Sequence, residues 1–152
     1  MEKWIINFAT GVLAVVAALF VFQRLQPKPD MSSASTLTPP QQAVHDDARQ
    51  AMSVVGIAIA EAYSNTGKWP DSNTAAGLPE PDAFRGKALE RLDVTGPTVT
   101  LTFDSTSGIY GGKVVYIGTM TPQMVMGINW RCTSPSFPDI AAAIPDCTYS
   151  SQ

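Results

Sequence analysis

The residues that could carry chemistry in this 152-residue chain are few and far apart. Its one histidine, His45, stands beside Asp46 and Asp47. An imidazole next to a carboxylate is the raw material of a general acid–base pair. The same three residues also read as the solvated first turn of a helix, where negative charge is welcome, and that is the reading adopted. No Gly-x-Ser-x-Gly elbow, phosphate loop or His-x-x-x-His spacing accompanies them. Asp71, Asp82, Asp104, Asp139 and Asp146 are scattered rather than spaced as a calcium loop. The chain therefore reads as a non-enzymatic protein, with no cofactor, metal or small-molecule substrate expected.

Cys132 and Cys147 are the only cysteines. Their separation is not Cys-x-x-Cys, which argues against a redox pair, and no histidine is near enough to complete a zinc site. A structural disulfide in an oxidising compartment fits, and two buried free thiols in a cytosolic core are the alternative. Arg85, Lys87 and Arg91 fall within seven residues, interleaved with Glu80, Asp82, Glu90 and Asp93. That mixture suits a solvated surface better than a nucleic-acid stripe. From Gln41 onward seven bases face eleven acids, and the whole chain carries −3. An acidic domain of this kind does not favour a phosphate backbone as partner. Trp69 and Trp130 read as packing aromatics before stacking platforms. Arg85, Lys87, Arg91 and Trp130 together form the candidate interaction surface.

The elements that must position these residues fall into three parts: residues 1–26, 27–42 and 43–152. Residues 4–22 read W-I-I-N-F-A-T-G-V-L-A-V-V-A-A-L-F-V-F, without a charge. As a helix they would be roughly 28 Å long, enough to cross the hydrocarbon core. Trp4, Ile5, Phe8, Leu13, Phe20 and Phe22 are the expected anchor residues, Trp4 at the interface. A cleaved signal peptide and a buried core helix are weaker readings. The run is long for a signal, Ser33-Ala34-Ser35 is too distant as a cleavage site, and little else is apolar enough to surround it. Lys3 competes with Arg24 and Lys28, so the flanking charge does not orient the span. Cysteines that must oxidise place the C-terminal part outside the cytoplasm. The expectation is a single-pass inner-membrane protein with its head in the periplasm.

Residues 26–42 hold four prolines among Ser and Thr and predict a tether. Thr38 then suits an N-cap, with Pro39 and Pro40 tolerated in the first helical turn. Val44, Ala48, Ala51, Met52, Val55, Ile59, Ala62 and Tyr63 recur at three- and four-residue steps, an amphipathic stripe of about five turns. Gly67 falls where a C-cap belongs. Four strands are predicted at 89–95, 98–103, 113–119 and 125–132, with Gly96-Pro97 as a turn and T-V-T-L-T-F as the clearest alternation. The class is α+β, a helix on an antiparallel meander, with an irregular proline-rich loop between the cysteines.

Residues 61–79, E-A-Y-S-N-T-G-K-W-P-D-S-N-T-A-A-G-L-P, and I-N-W-R-C at 128–132 followed by P-D-C at 145–147 carry a family likeness. In order and spacing, residues 41–150 resemble the globular domain of type IVa pilins. The resemblance implies a long helix, a loop, a four-stranded antiparallel sheet and a closing disulfide loop. It also implies a leader ending in Gly, a Glu inside the apolar helix, and one unbroken helix joining membrane and head. Residues 1–40 depart from that pattern: Glu2 is the only early acid, no Gly-Phe-Thr-Leu-Ile-Glu-like junction occurs, and prolines interrupt the helix.

Three functions follow as expectations. The first is a membrane-anchored accessory or modulator that contacts type IV pilins or their assembly proteins. The second is a divergent minor pilin built into the filament. The third is an adhesin or DNA-binding surface module.

Overall fold

The computed structural model describes residues 37–121 and 127–151. The expected anchor, from Trp4 to Phe22, and the start of the predicted last strand lie outside the described residues. Among the described residues no helix is long and apolar enough to cross a membrane.

Helix α1, Pro39–Thr66, is specified at both ends by its sequence. Thr38 is extended, its hydroxyl accepts the Gln41 N–H, and the Gln41 carboxamide oxygen accepts the Thr38 N–H at 2.9 Å. This capping box satisfies donors that an uncapped first turn would leave open. Gly67 closes the helix at φ 69°, donating to the Tyr63 carbonyl at 2.7 Å. Only a residue without Cβ adopts that left-handed conformation cheaply. The buried positions are Ala43, Val44, Asp47, Ala48, Ala51, Val55 and Ile59, so the predicted stripe is the core face. Residues 39–42, read as the end of the tether, form the first turn of α1.

The sheet runs in the order β1 (Leu89–Thr95), β2 (Thr98–Phe103), β3 (Gly112–Met120), β4 (Ile128–Ser134) and β5 (Cys147–Tyr149). Strands β1 to β4 form the antiparallel meander that was expected. On β2 the alternation holds: Val99, Leu101 and Phe103 are buried, and the three threonines between and before them face outward. Leu92, Val94 and Val114 join these against the α1 stripe. Full burial of each such aliphatic side chain contributes about 1.5–3 kcal/mol.

The sheet has five strands rather than four, and the fifth is parallel to β4. A disulfide joins Cys132 to Cys147, with Cα atoms 4.5 Å apart, and the two residues are register partners. Thr148 and Tyr149 then pair with Thr133 and Ser134. The intervening segment is less irregular than its prolines suggest. It contains a one-turn helix α2, Ile140–Ala143, which buries Ile140 and Ala143. A parallel return needs a crossover of a dozen or so residues, and a sequence separation of 15 provides it.

A candidate interaction surface on helix α1

Asp47, on the third turn of α1, is 5% exposed. Its carboxylate accepts N–H bonds from Lys87 at 3.0 Å, Ala88 at 2.7 Å and Leu89 at 2.8 Å. The approach to β1 is thus threaded over the helix. A Cβ on Gly86 would collide with this carboxylate, so the segment needs glycine there. Asn73 performs a similar task at the other end of β1. Its amide donates to the Pro79 and Leu92 carbonyls and its oxygen accepts from Val94 N–H at 2.7 Å. The side chain satisfies the outer edge of β1, which would otherwise offer unpaired groups to another strand.

The bases of the 85–91 run are engaged locally. Arg91 grips Asp93 through two bonds of 2.7 Å and reaches Asp82 at 2.9 Å. Those two carboxylates, Asp93 foremost, raise the already high pKa of its guanidinium. Lys87 pairs with Asp46 at 2.9 Å. The hydrogen bond from Lys87, then that from His45, holds the Asp46 carboxyl below its usual range, and Asp46 in turn raises Lys87. Both side chains of that pair face water, so its contribution to stability is small. Arg85 donates to the Asp82 carbonyl at 3.2 Å. His45 sits 3.1 Å from Asp46, and both are partly exposed, but the expected solvated first turn is corrected: these residues lie beyond the first turn, 39–42, and Asp47 is buried under three backbone N–H donors.

Trp130 lies elsewhere. It sits on β4, separated from β1 by two strands, about 14 Å at ordinary strand spacing. The indole reaches across Gly118 toward α1, where a Cβ on Gly56 would sit 3.6 Å from its Nε1. Trp69 flanks the same glycine and meets Tyr63 edge-on at 5.2 Å. The four candidate surface residues therefore divide into a corner where Lys87 and Arg91 are ion-paired and Arg85 bonds a carbonyl, and a half-buried aromatic.

Beside Trp130 is an open groove of about 600 Å³, lined by Gly56, Ile57, Ala60, Glu61, Ile128 and Trp130 among others. Ile57 is 70% exposed and Val54 is 54% exposed. Neither stands out in the sequence, because the periodic stripe that faces the sheet dominates the pattern of α1. Their signal was two branched aliphatics on the otherwise polar face of α1. Among the described residues no three His, Cys, Asp or Glu side chains come together as metal ligands.

The fold and surface define a class: a compact head in which one capped helix backs a disulfide-closed sheet, with an open groove beside Trp130. The pattern of the pilin family, proteins of the bacterial filament, matches residues 48–148. The chain belongs to that family. It is 31% identical over 136 residues to a type IV major pilin protein of Neisseria gonorrhoeae, covering 89% of this chain and 73% of the relative. It is 26% identical over 146 residues to a fimbrial protein of Neisseria meningitidis serogroup B, covering 96% of this chain and 77% of the relative. That second alignment takes in most of residues 1–40, the region whose motifs depart from the family pattern. A fimbrial protein of serogroup A is 26% identical over 135 residues, 89% of this chain and 71% of its own length.

Proposed function

We propose that this protein is a membrane-tethered pilin head that serves the type IV pilus as an accessory or modulator, through protein contacts and without catalysis. The tether and span are those read from residues 1–36, with the head outside the cytoplasm. The observation that carries the proposal is the complete capping box at Thr38. A helix with its own extended N-cap starts afresh and does not continue a preceding helix. A head on a proline-rich tether is free to dock on pilins or assembly proteins without being locked into a fibre by its anchor. The groove beside Ile57 and Trp130 is the surface assigned to that contact, since an exposed branched aliphatic beside a half-buried indole forms an apolar anchor site.

A second reading, a subunit of the filament itself, is favoured by the relatives. Those named above are major pilin or fimbrial proteins, and one alignment runs through most of the apolar segment. One fractionation separates the two. Pili are sheared from cells, and the protein is quantified in the fibre and inner-membrane fractions. The accessory reading expects nearly all of it in the membrane and only traces in the fibre. Stoichiometric recovery in purified fibres would overturn that reading and establish the second.

A further inference from the structure

We propose that the end of the head where α1 begins is a lipid-contacting surface, seated in the headgroup region of a bilayer through Ile109, Tyr110 and Tyr149. The inference rests on the membrane-anchored reading above. Among the described residues the large exposed apolar or aromatic side chains are Val54, Ile57, Ile109, Tyr110 and Tyr149. Ile57 lines the groove beside Trp130, and Val54 lines a separate hollow with Ala51, Phe84 and Leu89. The other three, Ile109 and Tyr110 in the β2–β3 connection and Tyr149 on β5, lie at one end of the fold.

Their common end is fixed by contacts of the segments that carry them. A Cβ on Gly108 would lie 3.7 Å from the Pro40 side chain, so the β2–β3 connection crosses the first turn of α1. Ile109 shares a cavity of about 170 Å³ with Gln41, Val44 and Pro138. Its carbonyl accepts from the Gly112 N–H at 3.0 Å. One residue further, the Lys113 carbonyl accepts from the Ser134 hydroxyl at 2.7 Å, and Ser134 is the register partner of Tyr149. Tyr110 is 77% exposed, Tyr149 45% and Ile109 38%.

The chemistry of this end suits a bilayer boundary. Tyrosine combines an apolar ring with a hydroxyl that prefers water, and such side chains gather at headgroup level. Pro39, Gly108 and Pro138 add neutral surface between them. The ionisable groups around it are Lys113, Asp104 and Asp139, and the Asp104 carboxylate is already engaged by the Thr106 N–H at 2.7 Å. One base against two acids gives no attraction to anionic lipid, so the contact is apolar and zwitterionic lipid suffices. The occupant is indicated by where the chain leaves. Residues 1–36 join at Leu37, beside this end, and include the uncharged 19-residue run 4–22. Only fourteen residues separate Phe22 from Leu37. A tether that short raises the effective concentration of a surface at its membrane to about the mM range. A weak apolar contact is then enough to hold it.

The test uses the full chain reconstituted in phosphatidylcholine vesicles doped with a lipid that carries a nitroxide quencher near its headgroup. Tyr110→Cys, Tyr149→Cys and Ile57→Cys are each labelled with one environment-sensitive fluorophore, the native disulfide remaining oxidised. Ile57 is the comparator because it is as exposed but lies about 27 Å along α1 from Pro39. Probes at 110 and 149 are expected to lose at least about half their intensity and the probe at 57 no more than about a tenth, as for side chains at the lipid boundary and away from it. If the protein floats with the vesicles but 110 and 149 are quenched no more than 57, the inference fails and the anchor stands. Equal strong quenching at all three positions also overturns it, because the head then lies on lipid without using this end. A chain that does not float removes the anchor and this inference together.

Discussion

Replacing Asp47 is expected to be the most damaging single change in the first half of the head. In Asp47→Ala, three backbone N–H groups at 2.7–3.0 Å lose their acceptor, two of them in buried contacts. Hydrogen bonds to a charged group contribute about 1.5–3 kcal/mol each, and three donors sharing one carboxylate do not add fully. The expected loss is about 3–5 kcal/mol, a large share of the roughly 5–15 kcal/mol that holds a domain of this size. With a urea slope near 1.5 kcal/mol/M the unfolding midpoint falls by about 2–3 M. Asp47→Asn keeps the shape but turns one acceptor into a donor, so it falls between wild type and alanine. Gly86→Ala is also destabilising alone, since its methyl collides with the carboxylate, but costs less in the Asp47→Ala background. The measurement is urea unfolding of residues 37–152, followed by circular dichroism, for wild type, the single variants and the double variant. A loss under about 1 kcal/mol for Asp47→Ala, or simple additivity with Gly86→Ala, would refute the clamp.

Replacing Cys132 and Cys147 by serine should lower stability by about 3 kcal/mol, with hydrogen exchange at Thr148 and Tyr149 accelerating first; unchanged protection there would show that β5 holds without its staple. Tyr116 is half-buried on the core face of β3, and burial pushes its hydroxyl up from 10.0 to about 12. The folded state holds that proton more tightly than the unfolded chain does. Its contribution of about 2–3 kcal/mol is therefore intact below pH 10 and lost as pH rises through about 12. Unfolding across this range should show the decline in wild type and not in Tyr116→Phe, and equal profiles would exclude the assignment. Ile57→Asp should leave stability within about 0.5 kcal/mol because the side chain is exposed, yet abolish crosslinking of the full-length protein to pilin. Undiminished crosslinking would move the contact off the groove.

Helix α1 was legible because its signals are short-range. Thr38, the two prolines, the three- and four-residue steps and Gly67 act within one or two turns of themselves. The same holds for β2, where the alternation of T-V-T-L-T-F assigns each side chain to a face before any partner strand is known. Strand β5 was hidden for the opposite reason. Three residues, C-T-Y, carry no period, and their pairing exists because a crosslink sets Cys147 beside Cys132. Arg91 reads as part of a mixed charged run, but its partners among four nearby acids depend on the bulge between Leu89 and Arg91 and on which strand faces it.

The sequence by itself determined the class of the fold, the ends of its long helix, the faces of its clearest strand and its family likeness, all of which rest on local pattern and word order. Tertiary structure decided the Asp47 clamp across 40 residues, the Asn73 guard on the β1 edge, the separation of Trp130 from the basic run, and the placing of Ile109, Tyr110 and Tyr149 at one end of the fold. Each of these joins segments whose proximity depends on how α1 docks and in what register the strands pair. A side chain's type states what it could bind, and only the packed chain brings that partner within reach.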